Sequence, residues 1–220
     1  MEHIIGLDFW GTLAKGNPAF KKVKIQILRK SFTLNHTDAE IEEAQQQVKD
    51  HFNDIIEKWG IQPSLPTLFA SWLHGLSIPV ENVPLNTLGQ FIRRYQEAAK
   101  DFPALPFDDH TEETIARLAQ QHRLVLVSNT LFVAGSTIRH WLEKIGWLQY
   151  FSQLIFSDEA GISKPDPAIF QQSAHGITTH IGDNPKTDGG GALRASIPFI
   201  GINGNYQHNI KHVFTLLPNG

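Results

Sequence analysis

Cysteine is missing from the 220 residues, which excludes disulfides, thiolate metal sites and cysteine nucleophiles. A dominant charge is missing too. Nineteen lysines and arginines against 22 aspartates and glutamates leave a net charge of -3, so the charge gives no reason to expect nucleic acid or an anionic membrane surface as a partner. No apolar run reaches the length of a bilayer-spanning helix. The chain enters an apolar strand pattern almost at once, with no signal-peptide pattern ahead of it, and a cytoplasmic protein is the expectation. Eleven histidines are present but scattered. None forms a His-Glu-x-x-His motif or a close pair at ligand spacing on an evident helix, and most read as surface or packing residues.

What is there is an ordinary globular composition, 41% hydrophobic and 19% charged, long enough for one large domain or a core with an insertion. Ile4 to Leu7 is a short apolar run of the kind that forms a buried strand, and it ends on Asp8. Gly11 then allows a close turn. From about Pro18 to about Phe102 the pattern is helical. Phe20, Val23, Ile27 and Leu28 mark one helix; Thr37 to Glu40 is a capping box opening a second, which runs to about Trp59 and stops at Gly60 and Pro63. A third is expected from Pro66 to Leu76 and a fourth from Pro84 to Ala99. Short connections make these four a small bundle, with faces that read as mostly apolar. Trp59, Phe69 and Trp72 read as bundle core or as an exposed interface.

From Asp109 the pattern alternates. Asp109 and Glu112 are positioned to cap a helix to about Gln121, and Leu124 to Val127 reads as a strand buried on both faces. A helix from Gly135 to Ile145, a strand over Leu154 to Phe156 and a helix from Pro167 to Ala174 capped by Asp166 follow. Then come a strand from Thr178 to Ile181, a helix from Lys186 to Ala195 and a last strand from Phe199 to Ile202. Such alternation predicts a parallel sheet with helices on both faces. The fold class is therefore α/β: a Rossmann-like core from residues 1–15 and 105–220, with an all-helical four-helix bundle inserted at 16–104.

Chemistry-bearing residues gather at the strand ends, where open α/β sheets bind their ligands. They are Asp8, Ser128 with Asn129, Lys164, and Asp183 with Asp188. By order and spacing these residues resemble the haloacid dehalogenase-like hydrolase superfamily. The likeness rests on Asp8-Phe9-Trp10-Gly11-Thr12, on Ser128, on Ser157 to Pro167 containing Lys164, and on Gly182-Asp183 with Asp188. It covers about half the chain, and the helical insertion falls where that family carries its cap. The resemblance implies that Asp8 is a nucleophile forming an aspartyl-phosphate. Mg²⁺ would be held by Asp8, Asp183 and the Trp10 carbonyl, with Asp188 supporting it or Lys164. Thr12, Ser128, Asn129 and Lys164 would hold the phosphate of a small phosphorylated substrate. Ser128 also reads as a plain strand-end cap, and Asp188 as the N-cap of the last helix. A monomer or a homodimer is expected.

One position departs from the family's phosphatase pattern. Two residues after the nucleophile, where an acid–base Asp is usual, stands Trp10. An indole transfers no proton, and general acid–base catalysis typically contributes ~10²–10⁴-fold. Three functions follow from this. The first is a metal-dependent phosphohydrolase using another acid or accepting good leaving groups. The second is a metal-independent 2-haloacid dehalogenase, whose halide leaves without a proton. The third is a non-catalytic descendant that binds a phospholigand or a protein.

Overall fold

The computed structural model describes residues 3–217; residues 1–2 and 218–220 of the expected core unit lie outside the described residues. Five parallel strands form the main sheet: β1 (Ile4–Leu7), β4 (Arg123–Ser128), β5 (Phe151–Phe156), β6 (Thr179–Gly182) and β7 (Phe199–Gly201), in the order β5-β4-β1-β6-β7. The strand alternation sorts side chains cleanly to two faces. Ile5, Leu7, Leu124 and Leu126 enter one apolar cluster with Ile115 and Leu118 of α5 (Thr111–Gln121) and Ile138 and Leu142 of α6 (Gly135–Lys144). Ile4, Val125, Val127 and Ile155 face the other way, onto Ile169, Phe170 and Ala192. Both faces are covered, as the unbroken apolar strands require.

Between β1 and α5 the chain makes α1 (Phe20–Ser31), α2 (Asp38–Trp59), α3 (Leu65–Gly75) and α4 (Leu85–Ala99). The capping box is formed: Glu40 N–H donates to Thr37 Oγ1, and Thr37 N–H donates to Glu40 Oε2 at 2.7 Å. Gly60, at φ 65°, ends α2. Leu88, Phe91, Tyr95 and Ala99 form the buried stripe of α4, and α4 packs on both α1 and α3. Phe69 and Trp72 are fully buried, while Trp59 is 63% exposed with Lys58 over its ring. The same apolar cluster runs from the sheet into these helices, through Phe132 and Trp141 to Phe69, Trp72 and Phe91. Trp141 Nε1 donates to the Ala99 carbonyl, and Gln96 bonds Phe132, Ala134 and Thr137.

Several local expectations need correction. A two-stranded antiparallel ribbon, β2 (Ala14–Lys15) with β3 (Leu105–Pro106), closes the base of the helical segment; two residues per strand are too few to show periodicity. Asp109 does not cap α5. Asp108 does the equivalent work one residue earlier, accepting from His110 N–H and the Thr111 hydroxyl. A four-residue helix, α7 (Ser157–Ala160), follows β5. Residues Pro167–Gln172 are a 3-10 turn, with Asp166 capping it as expected. The expected helix from Lys186 to Ala195 begins as a wide turn over Pro185–Gly189 and becomes α8 only at Gly190–Arg194. A short α9 (Val213–Leu216) follows near the end of the described chain. Among the described residues no helix is long and apolar enough to cross a membrane.

Candidate active site

The sheet order places β1 between β4 and β6, so winding reverses at β1 and a crevice opens outside the strand ends there. Asp8, just past β1, and Asp183, just past β6, meet at this crevice. Asp188 joins them. One carboxylate oxygen from each of the three lies within 4.8 Å of the other two. The backbone makes this approach possible. Gly11 has φ 80°, and a Cβ there would collide with the Asp183 carboxylate. Gly182 is packed in the same way against the Asp188 carboxylate. Asn184 Oδ1 accepts from Lys186 and Thr187 N–H, so Asn184 caps the turn, and Asp188 is aimed back into the site. This overturns the reading of Asp188 as a plain helix cap. Its Oδ2 accepts from Asn184 N–H at 3.1 Å.

Lys164 lies among these carboxylates and is 1% exposed. Its Nζ donates to Asp8 Oδ1 at 2.5 Å, Asp188 Oδ1 at 2.6 Å and the Val127 carbonyl at 2.8 Å. Three acceptors use all three ammonium hydrogens. Asn129 holds the lysine's backbone in both directions: its Nδ2 donates to Lys164 O, and its Oδ1 accepts from Lys164 N–H, each at 2.8 Å.

Three carboxylates around one ammonium leave a surplus of negative charge in a buried place. Its effect shows in the acids. Burial pushes the Asp8 carboxyl up to about 7, against the attraction of Lys164 and with the added repulsion of Asp188 and Asp183. Burial, then Asp188, raises Asp183 to about 6. Asp188 alone is held low, at about 2; burial opposes this, but Lys164 and His180 outweigh it. The lysine is raised above its usual value because the two aspartates outweigh its desolvation. Hard oxygen donors converging with unneutralised negative charge fit a small divalent cation.

The other expected residues are near but differently engaged. The Thr12 hydroxyl donates to Asp183 Oδ1 at 3.4 Å, a contact that positions the acid. Ser128 is fully buried at the end of β4, and its hydroxyl donates to the Asn129 carbonyl at 3.1 Å. Trp10 packs edge-on against Phe9 and Trp141, with ring centroids 4.9 and 6.1 Å away.

Two participants escaped the sequence reading. His180 is fully buried on β6, and its Nε2 lies 2.9 Å from Asp188 Oδ1. Burial holds it below the usual histidine range, so the neutral ring donates from Nε2 to the carboxylate. The general reading of the histidines as surface or packing residues fails for this one. Asn203, at φ 57°, donates from Nδ2 to the carbonyls of Gly11 and Thr12, both at 3.1 Å, and so pins the loop behind Asp8. The dipeptide Asn203-Gly204 after a strand was the available signal. A cavity of about 620 Å³ extends from Asp8, Asp183 and Lys164 to the helical segment, where Lys24, Glu42 and Lys49 line it. Charged groups therefore stand among the apolar side chains where these helices meet the site.

The model of the haloacid dehalogenase-like hydrolase family matches residues 3–196. A glyceraldehyde 3-phosphate phosphatase from Methanopyrus kandleri is 30% identical over 83 residues, 34% of this chain and 36% of that protein; the match spans about a third of that relative's length. Among solved structures, a HAD-hydrolase from Bacillus subtilis bound to magnesium superposes with a TM-score of 0.70 at 16% identity, covering 98% of each chain. A 2-haloacid dehalogenase from Pseudomonas syringae gives 0.65 at 17% identity, also covering 98% of each. At such identities the structural likeness speaks for the fold alone.

Proposed function

Because the chain belongs to the haloacid dehalogenase-like hydrolase family, we propose that it is a Mg²⁺-dependent phosphohydrolase acting on a small phosphorylated metabolite through Asp8. One observation carries this reading: three carboxylates converge at one place, and the buried Lys164 ammonium bonds only two of them. A 2-haloacid brings a further carboxylate to a site already too negative, whereas a divalent cation relieves it. Bound Mg²⁺ would supply the positive charge that lets a carboxylate approach a phosphate, and Asp8, Asp183, Asp188 and the Trp10 carbonyl are the groups to hold it.

The chain's own residues then divide the work. Lys164 fixes Asp8 Oδ1, and the second oxygen is the one to attack phosphorus. The new bond joins that oxygen to phosphorus as the bond to the leaving oxygen breaks. Lys164, Ser128 and the Asn129 N–H offset charge on the phosphoryl oxygens, and Thr12 keeps Asp183 in place. Water next attacks phosphorus, its proton passing to a phosphoryl oxygen or to solvent since Trp10 takes none, and Asp8 departs as a carboxylate.

Protonation of the leaving oxygen is the unprovided step. Glu42 and Glu57 are the helical-segment acids that line the cavity. Glu42 is paired with Lys21, and Glu57 with Lys186 and Asn184, so both carboxylates are already engaged. Substrates whose leaving group departs without a proton, acyl phosphates above all, fit best. Residues 16–104 serve as a four-helix cap over this site, in a cytoplasmic protein.

The test is to incubate the protein with acetyl phosphate, with and without Mg²⁺, and weigh it intact. A phosphoryl adduct that needs Mg²⁺ and vanishes in Asp8→Asn is expected. The same substitution should lower phosphatase turnover on the order of 10⁴-fold or more, as loss of a nucleophile does. Metal-independent halide release from a 2-haloacid with no adduct would establish the dehalogenase instead. Neither activity, with phosphate analogues still bound, would leave a binding protein.

A further inference from the structure

The far end of the cavity has the opposite electrical character from the site at the strand ends. Lys21 and Lys24 project from α1, and Lys49 and Glu42 from α2; all four line the cavity with Asp8 and Lys164. Three lysines face two glutamates, and one of these, Glu57, is engaged by Lys186 and Asn184. Glu42 is already engaged by Lys21, and Lys24 Nζ stands 3.9 Å from it, beyond hydrogen-bonding distance. Lys24 instead donates to Gln45 Oε1 at 2.5 Å, and the Gln45 amide donates to the Tyr95 hydroxyl. A neutral amide and phenol position this ammonium without cancelling its charge.

Lys24 is also withdrawn from water, its side chain 15% exposed. Burial, with repulsion from Lys49 and Lys21, lowers it to about 8 despite Glu42. Lys49 is lowered by burial too, against Glu42 and Asp50. Lysines on a helix surface normally extend into solvent. Two partly desolvated, incompletely paired ones on the wall of a ligand-sized cavity are a standing attraction for an anion.

We propose that Lys24 and Lys49 form a second anion subsite, which holds a carboxylate or second phosphate at the far end of the metabolite whose phosphoryl group lies at Asp8. The substrate class is thus a short metabolite with an anionic group at each end. This rests on the phosphohydrolase reading of Asp8, and the experiment separates the two.

The probes are three series of matched chain length: alkylphosphonates, ω-phosphonocarboxylates from phosphonoacetate to 4-phosphonobutyrate, and alkane-α,ω-diphosphonates. Dissociation constants are measured by calorimetry on the full chain with excess Mg²⁺. At least one two-ended probe should bind about tenfold or more tighter than its alkyl counterpart, the gain of a charge-assisted contact. Which of the two series wins tells carboxylate from phosphate. Lys24→Met and Lys49→Met should each remove most of that preference and leave alkylphosphonate affinity within about twofold, and Lys24→Arg should retain the preference. If Lys24→Met fails to fold, Lys49→Met with Lys24→Arg decides the matter alone. No two-ended probe beating its counterpart, or a preference surviving in both methionine variants, overturns the subsite. Failure of the Asp8 reading looks different: alkylphosphonates would not bind with Mg²⁺, while any two-ended binding would respond to Lys24 and be indifferent to Asp183→Asn.

Discussion

The two ends of the cavity are built on opposite plans. At the strand ends acids outnumber bases, and the central charged groups are locked by short contacts: Lys164 has three acceptors, and Asp188 accepts from Lys164, His180 and Asn184, while Asp183 is held more loosely, by the Thr12 hydroxyl. At the helical wall bases outnumber acids, and the contacts are few, with Lys24 held by one neutral amide. The strand-end cluster is thus preorganised for one geometry, while the helical wall carries lysines that its own acids match only in part and that the proposed anion would complete. Machinery for a reaction belongs on the first kind of frame. Selection among substrates belongs on the second, where a wrong ligand leaves a partly buried cation incompletely paired.

The comparison breaks first at Lys164. Lys164→Met should cost about 3–5 kcal/mol in urea denaturation without metal, because it strands Asp8 and Asp188 buried and unpaired. The loss should shrink at pH 5, where Asp8, raised to about 7 even with the lysine present, takes up a proton. A loss near zero at pH 7 would mean that the acids are already protonated there. A strand-end loop suggests a lysine free to be changed; its 1% exposure makes it part of the fold.

A second effect concerns the acidic end alone. Asp8 and Asp183 are raised from 3.8 to about 7 and about 6 in the folded protein. Below 3.8 both are protonated, folded and unfolded, and cost nothing. Between there and their folded values the unfolded chain ionises first, so metal-free stability should fall as pH rises from about 4 to about 7. Mg²⁺ should remove that slope and add about 2.7 kcal/mol at a hundredfold excess over its dissociation constant. Asp183→Asn should abolish most of the gain. Thermal melts across this pH range, with and without Mg²⁺, check both; an unchanged melting temperature in millimolar Mg²⁺ would remove the metal site.

At the basic end the sign reverses. Lys24 is lowered from 10.5 to about 8, so its charge costs stability below pH 8, and the cost fades as pH climbs toward 10.5. Lys24→Met should therefore stabilise the ligand-free protein by about 1–3 kcal/mol at pH 7, with the advantage closing above pH 8. Destabilisation by the same change would show that Lys24 is a structural tether and not an open binding group.

The smallest effect is expected at Trp10, between the two ends. Trp10→Asp supplies a carboxylate two residues from the nucleophile, on the turn made by Gly11. Activity toward alkyl phosphates should rise about tenfold, with less change for acyl or aryl phosphates, as steady-state assays on matched substrates would show. A variant that folds, binds Mg²⁺ and shows no selective gain would remove the missing-acid explanation.

Much of this was legible in the order of residues. Asp8, Lys164, Asp183 and Asp188 each follow an apolar run, and a parallel sheet delivers the ends of such runs to one edge whatever the packing details. The capping box of α2 and the stripe of α4 are local patterns, and they formed locally. What was not legible depends on chain segments far apart in sequence. His180 looks like any strand residue until β6 sets it beside the turn carrying Asp188, and Asn203 bonds to Gly11 and Thr12 across almost the whole chain.

The sequence by itself determined the parallel α/β core, the inserted helices and the four strand-end charges, because periodicity and chain order are properties of one dimension. Tertiary structure alone decided which charges are buried and which remain unbalanced. Lys164 and Lys24 are the same residue type; one is surrounded by two carboxylates and a carbonyl, the other meets an amide, with two more lysines nearby and one carboxylate at 3.9 Å. Desolvation and Coulomb interactions depend on what surrounds a group in space, and no spacing along the chain encodes that.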